Sequence, residues 1–95
     1  MSALHLKIAG LVQGVGFRYG MCRQARHLDL AGWVRNCSDG SVEAVAVGDD
    51  LALQRLVEWT QRGPAGARVD SVHVVPATAA QASDADNPFS QRSSV

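Results

Sequence analysis

Gly10-Leu11-Val12-Gln13-Gly14-Val15-Gly16-Phe17-Arg18 joins a segment with the alternation of a strand to one with the periodicity of a helix. Upstream, Leu4-His5-Leu6-Lys7-Ile8 alternates apolar and polar side chains, the pattern of a half-buried strand. Downstream, Phe17, Met21, Ala25 and Leu28 recur at helical spacing and Cys22 widens their stripe, which predicts a helix from Phe17 or Arg18 to about Leu28. Between the two, Gly14 and Gly16 can take backbone angles closed to other residues. Successive N–H groups of such a turn converge on one point, and a helix N-terminus adds unpaired donors and the positive end of its dipole. Arg18 sits where that dipole disfavours a cation, so its place at the helix start favours an anion between the two. The expected product is a small cradle with a guanidinium at its rim, suited to a phosphate.

Further along, Ala31-Gly32-Trp33-Val34-Arg35-Asn36 reads as a second strand. Asp39-Gly40 is a strong hairpin signal, followed by Val42 to Val47 as a third strand that Gly48 ends. Asp49 or Asp50 can cap a second helix in which Leu53, Leu56, Val57 and Thr60 share a face, and Gly63-Pro64 stops it. A fourth strand is expected over about Val69 to Val75. Val69 and Val72 are an odd number of residues apart, so a bulge is the natural way to keep both on one face. From Pro76 the composition turns to Ala, Ser, Asp, Gln and Thr, which predicts a loosely ordered connection over 77–88, with Phe89 anchoring a short final edge strand over 89–92. Strand, helix, strand, strand, helix, strand, with a hairpin in the middle, is the order of a ferredoxin-like α+β sandwich: two helices packed on one face of a mainly antiparallel sheet.

The whole chain, 1–95, is expected to form a single domain. Its formal net charge is zero and its pI about 6.8, so anion recognition has to be local and a basic nucleic-acid face is not expected. No apolar run approaches a membrane span and the N-terminus lacks a signal-peptide profile, which makes the cytoplasm the expected compartment. Cys22 and Cys37 fall in different predicted elements and read as free thiols. His5, His27 and His73 show no metal-ligand spacing and read as surface positions. Arg23, Arg26, Arg55 and Arg62 read as solvated, and Arg35 either points to solvent or pairs with Glu43 across the hairpin. Taken alone, Asn36 need do no more than begin a turn. The glycine loop is neither a dinucleotide GxGxxG, since Tyr19 holds the last glycine position, nor a Walker A loop.

The run VQGVGFR over 12–18, followed by GWVRN over 32–36 and by Asp39-Gly40, resembles the acylphosphatases, and the likeness covers about residues 4 to 75. It implies hydrolysis of the carboxyl–phosphate bond of small acylphosphates without metal or organic cofactor. On the matching positions it implies catalytic roles for Arg18 and Asn36, and a phosphate loop formed by the backbone of Gln13, Gly14, Val15, Gly16, Phe17 and Arg18. The chemistry of these residues agrees. Phosphoryl transfer asks mainly for positioning and for stabilisation of charge on the equatorial oxygens. Amides and a planar guanidinium supply the second, and the Asn36 carboxamide can orient a water. Gly10 and Ser41 are expected to support the site from behind, Ser41 by holding Asn36. The departures are Gly20 and Met21, where an aromatic and a threonine are common, and Phe89-Ser90-Gln91-Arg92, which lacks the aliphatic residue usual in the last strand. The expected partner is a small-molecule substrate bound by a monomer, with no nucleic acid and no membrane. The competing reading is a module that holds an anion or a partner protein in the same cradle without turnover.

Overall fold

The computed structural model describes all 95 residues. In chain order the elements are β1 (Ser2–Leu11), α1 (Phe17–His27), β2 (Ala31–Asn36), β3 (Val42–Gly48), α2 (Asp50–Arg62), β4 (Arg68–Pro76), α3 (Ala79–Ser83) and β5 (Ser90–Gln91). The sheet order is β4-β1-β3-β2-β5. β1 is antiparallel to β3 and β4, β2 is antiparallel to β3, and β5 runs parallel to β2. The mixed α+β architecture is the ferredoxin-like one that the sequence predicts. Its directions matter for function: β1, β2 and β5 all run the same way. The loop after β1, the last residue of β2 and the tail after β5 therefore meet at one end of the sheet.

Alternation along the strands sends Leu6, Ile8, Val34, Val42, Ala44 and Ala46 to the face beneath the helices. Phe17, Met21, Cys22 and Ala25 of α1 and Leu53 and Leu56 of α2 close over them. Each large side chain buried this way contributes about 1.5–3 kcal/mol relative to exposure. α2 begins at Asp49, whose carboxylate accepts from the amides of Leu51 and Ala52 at 3.1 and 3.3 Å. Gly63 ends it at φ 67°, and there a Cβ would lie 2.7 Å from the Phe17 ring. The opposite face carries the pairs that the hairpin sets up. Arg35 is opposite Glu43 in the register and donates to it at 2.7 Å, and His5 meets the other carboxylate oxygen at 2.7 Å. His5 and Arg35 are thus paired rather than solvated.

The bulge expected from the Val69–Val72 spacing is present. Ala9 faces Ser71 but Gly10 faces Val69, so Asp70 is the extra residue and both valines pack against the core.

The segment 77–88 differs from expectation. Instead of a loose connection it carries α3, opened by a reciprocal cap in which Thr78 accepts from the Gln81 amide at 3.1 Å and Gln81 accepts from the Thr78 amide at 2.8 Å. α3 packs against β3, and the Asp86 carbonyl accepts from the Gly32 amide at 2.8 Å. The chain thus crosses the face left open by α1 and α2 and reaches the β2 edge. There Ser90 and Gln91 pair with Trp33 and Val34, and Phe89 enters the core fully buried. Its carbonyl accepts from Cys22 Sγ at 3.2 Å and from Arg26 Nε at 2.7 Å. Arg26 is therefore a clamp on the last strand and not the solvated arginine that its polar helix face suggests.

Candidate active site

Gly14 and Gly16 both have left-handed backbone, φ 75° and 80°, while Val15 between them does not. Nothing lies within 4 Å of where a Cβ would stand on either glycine, so conformation and not crowding requires glycine here. Alternation of this kind turns consecutive N–H groups toward one side. Gly16 also serves as the N-cap of α1, with no side chain to satisfy the first turn. The amides from Gln13 to Arg18 accordingly donate to no backbone carbonyl of the protein. Six neighbouring donors at a helix N-terminus are thus left free for an acceptor from outside, water or an anion.

Arg18 rises from the first turn of α1, and its Nη1 donates to the carbonyl of Arg92 at 3.4 Å. One end of the guanidinium is thus tethered to the C-terminal tail. Asn36, the last residue of β2, points to the same side of the sheet as the buried Val34. Its Oδ1 is buried and has no protein partner. A buried acceptor in that condition ordinarily takes a water. Arg18 and Asn36 line one cavity of about 230 Å³ together with Gly14, Gly16, Tyr19 and Gln91. Two groups eighteen residues apart in the chain are thereby brought to one concave site, as the reading of the sequence requires.

Two predicted residues, Ser41 and Gly10, act differently from expectation, while Gln13, expected in the loop through its backbone, uses its side chain elsewhere. The Gln13 side chain does not face the cavity. Its Nε2 donates to the carbonyls of Cys37 and Ser41, both at 2.8 Å, and staples the loop to the β2–β3 turn. Ser41 does not hold Asn36, because its hydroxyl donates to Asp39 at 2.6 Å and its amide to the same oxygen at 3.0 Å. Gly10 stands at the bulge with φ 133°, where a Cβ would lie 2.1 Å from the Arg68 carbonyl. It permits the close approach of β1 and β4 and touches no cavity group. Gln91, Tyr19 and the Arg92 carbonyl are the site groups that the sequence reading missed. Period two from the buried Phe89 was the available signal for Gln91.

The acidic groups of the neighbouring hairpin are already engaged. Hydrogen bonds from Ser41 and then from Lys7 hold Asp39 far below the usual carboxylate range. Burial pushes Glu43 up, but the hydrogen bonds from His5 and Arg35 outweigh it and leave Glu43 below its ordinary value. Neither lines the cavity. The site therefore offers amides, one guanidinium and the carboxamides of Asn36 and Gln91, a donor set fitted to a tetrahedral anion and a water.

Comparison with known proteins agrees with this chemistry. The acylphosphatase family model matches residues 4–88. An acylphosphatase of Acidovorax sp. (strain JS42) is 48% identical over 91 residues, 96% of this chain and 90% of that protein. One of Synechococcus sp. (strain RCC307) is 65% identical over 66 residues, 70% of this chain but only 56% of that protein. The crystal structure of acylphosphatase from Bacillus subtilis superposes with a TM-score of 0.87 at 36% identity, covering 97% of this chain and 99% of that one. With the loop, the arginine and the asparagine gathered at one sheet end, and with the family model and the Acidovorax and Bacillus likenesses spanning nearly the whole chain, the protein belongs to the acylphosphatase family.

Proposed function

We propose that this chain hydrolyses the carboxyl–phosphate bond of small acylphosphates to a carboxylate and inorganic phosphate, acting as one domain over residues 1–95. The observation that carries the reading is the run of open amides from Gln13 to Arg18 beside a guanidinium and an unpartnered carboxamide oxygen. The amides and Arg18 hold the phosphoryl oxygens, and their dipoles and charge meet the negative charge that builds up on those oxygens in the transition state. Asn36 Oδ1 accepts a hydrogen bond from a water and aims the water oxygen at phosphorus. The new P–O bond forms as the bond from phosphorus to the acyl oxygen breaks. The acyl group leaves as a carboxylate, a stable anion that needs no proton donor. The proton of the attacking water passes to the phosphate product. No general base is required, which fits a site whose nearby carboxylates are engaged elsewhere.

In this reading the enzyme needs neither metal nor organic cofactor, because amides and Arg18 neutralise the charge that a divalent cation would otherwise meet. It works as a cytoplasmic monomer on a small-molecule substrate, with no nucleic acid or membrane as partner; no helix is long and apolar enough to cross a membrane. The test is phosphate release from benzoyl phosphate, with and without a chelator, for the wild type and Asn36→Ala. Turnover that survives chelation, is inhibited competitively by inorganic phosphate and falls about a hundred- to a thousandfold in Asn36→Ala is expected. Phosphate binding without turnover in the wild type would instead identify a passive anion-binding module.

A further inference from the structure

A second and larger concavity, about 540 Å³, runs along the exposed flank of α1 and shares Gly16 and Tyr19 with the catalytic cavity. Its wall continues down the helix through Gly20 and Arg23 to His27, with Trp59 of α2 on the far side. From Gly16 to His27 the helix advances roughly 16 Å, so the groove begins at the phosphate loop and leads away from it. Three observations give it a chemical character. Gly20 forms its floor: a Cβ there would lie 3.0 Å from the Trp59 ring, a tight contact, so a larger side chain at this position would take up the groove. Arg23 bends back over the Tyr19 ring, 5.9 Å from its centroid, which directs the guanidinium toward the catalytic end. No carboxylate lines the groove, while Arg23 and His27 do.

We infer that this groove is the subsite for the acyl portion of the substrate, and that it selects acylphosphates whose acyl chain ends in a second negative charge, held by Arg23. The inference rests on the hydrolytic reading above and extends it. Geometry supplies the direction. In-line displacement puts the attacking water and the departing acyl group on opposite sides of phosphorus. The water is aimed from Asn36 at the end of β2, so the acyl group projects away from β2, toward the wall shared with Tyr19. A tail that stays in the open groove passes over Gly20 and meets Arg23 within one helical turn of Tyr19. A neutral, short acyl group gains nothing from this path. The half-open setting makes the selectivity modest, since an exposed ion pair is weak and screened by salt.

The experiment compares succinyl phosphate, which carries a terminal carboxylate, with acetyl phosphate, which carries none, at low ionic strength. The quantity read is the ratio of their kcat/KM values. Arg23→Gln should lower the succinyl-to-acetyl ratio about two- to fivefold, and added salt should lower the wild-type ratio in the same direction. Gly20→Phe, which fills the groove, should lower it as well. Arg23 is on the exposed helix face and its replacement leaves the core intact, so that variant stays informative if Gly20→Phe does not fold. Wild-type turnover of both compounds with a ratio unmoved by Arg23→Gln and by salt overturns the subsite and leaves the hydrolytic reading standing. Release of phosphate from neither compound overturns both.

Discussion

An arginine in the first turn of a helix opposes the dipole, and Arg18 adds a tether to the Arg92 carbonyl at 3.4 Å. Its planar fork can serve two acceptors at once, the carbonyl with one nitrogen and a phosphoryl oxygen with another. A lysine ammonium at the same place is a point charge on a flexible stem and cannot keep both directions. Arg18→Lys is therefore expected to lower kcat/KM about a hundredfold while shifting the thermal midpoint by no more than a few degrees. Steady-state kinetics beside a melting curve checks this, and a variant retaining more than a tenth of wild-type activity would mean that charge alone suffices. Arg18 was legible from its place beside a glycine loop at a helix start, and Asn36, which alone reads as a turn residue, only through the resemblance of its GWVRN segment. The roles of Gln13 and Ser41 were not. The Gln13 acceptors lie 24 and 28 residues away, and only the folded hairpin brings them alongside the loop. Ser41 has Asp39 two residues off as a ready acceptor, and that short Asx-type contact wins over a reach to Asn36.

Among the elements, the last strand is the shortest and the most dependent on side chains. β5 pairs through two residues, and the tail continues the same edge with the Arg92 amide donating to Val34 and the Val95 amide to Asn36. Arg92 fixes the arrangement by reaching Asp84 at 2.8 Å and Asp86 at 3.1 Å while its guanidinium lies over the Trp33 ring, 4.9 Å from the centroid. The hydrogen bonds from Arg92 and then Ser90 hold Asp86 below its ordinary value, and the same pairing raises Arg92. A carboxylate depressed by folding adds stability that is complete above its unfolded value, near 4, and drains away as pH falls through the folded one. The tail should therefore loosen below about pH 4 while the central strands keep their protection longer. Hydrogen-exchange protection of the Arg92 and Val95 amides, compared with that of Ala44 between pH 6 and 3, reads this directly. In Asp86→Asn the tail protection should be low already at pH 6 and vary little with acid, and protection matching the wild type would remove Asp86 from the latch. The capping box that opens α3 was written in the sequence as Thr78-x-x-Gln81. It stands within a run of alanines and small polar residues whose composition is that of a loose connection.

At the scale of the molecule, the sheet order makes the site a product of the entire fold. Its groups come from the loop after β1 and the first turn of α1 that continues it, the end of β2 and the tail beyond β5, so three strands of one sheet place them. Hydrophobic period, turn residues and caps are local signals, which is why the order from β1 to β4 and a bulge between Val69 and Val72 are legible in the sequence, though not its position at Asp70. The closing of the β2 edge is non-local: it depends on Phe89 reaching a slot beside Gly32, where a Cβ would lie 2.9 Å from the Phe89 ring. Phe89 is fully buried among Cys22, Val34 and the rest of the core. Removing its ring should cost about 3–5 kcal/mol, a large part of the roughly 5–14 kcal/mol that a chain of this size commands. With a urea m-value of about 1–3 kcal/mol/M, Phe89→Ala should move the unfolding midpoint down by at least about 1 M. Because the tail tethers Arg18 and borders Asn36, activity should vanish in step with tryptophan fluorescence from Trp33 and Trp59 as urea rises, in the wild type and the variant alike. Activity lost well before the fluorescence change would show β5 detaching alone, and the site would then depend on a locally unfolding edge instead of on the sheet as a unit.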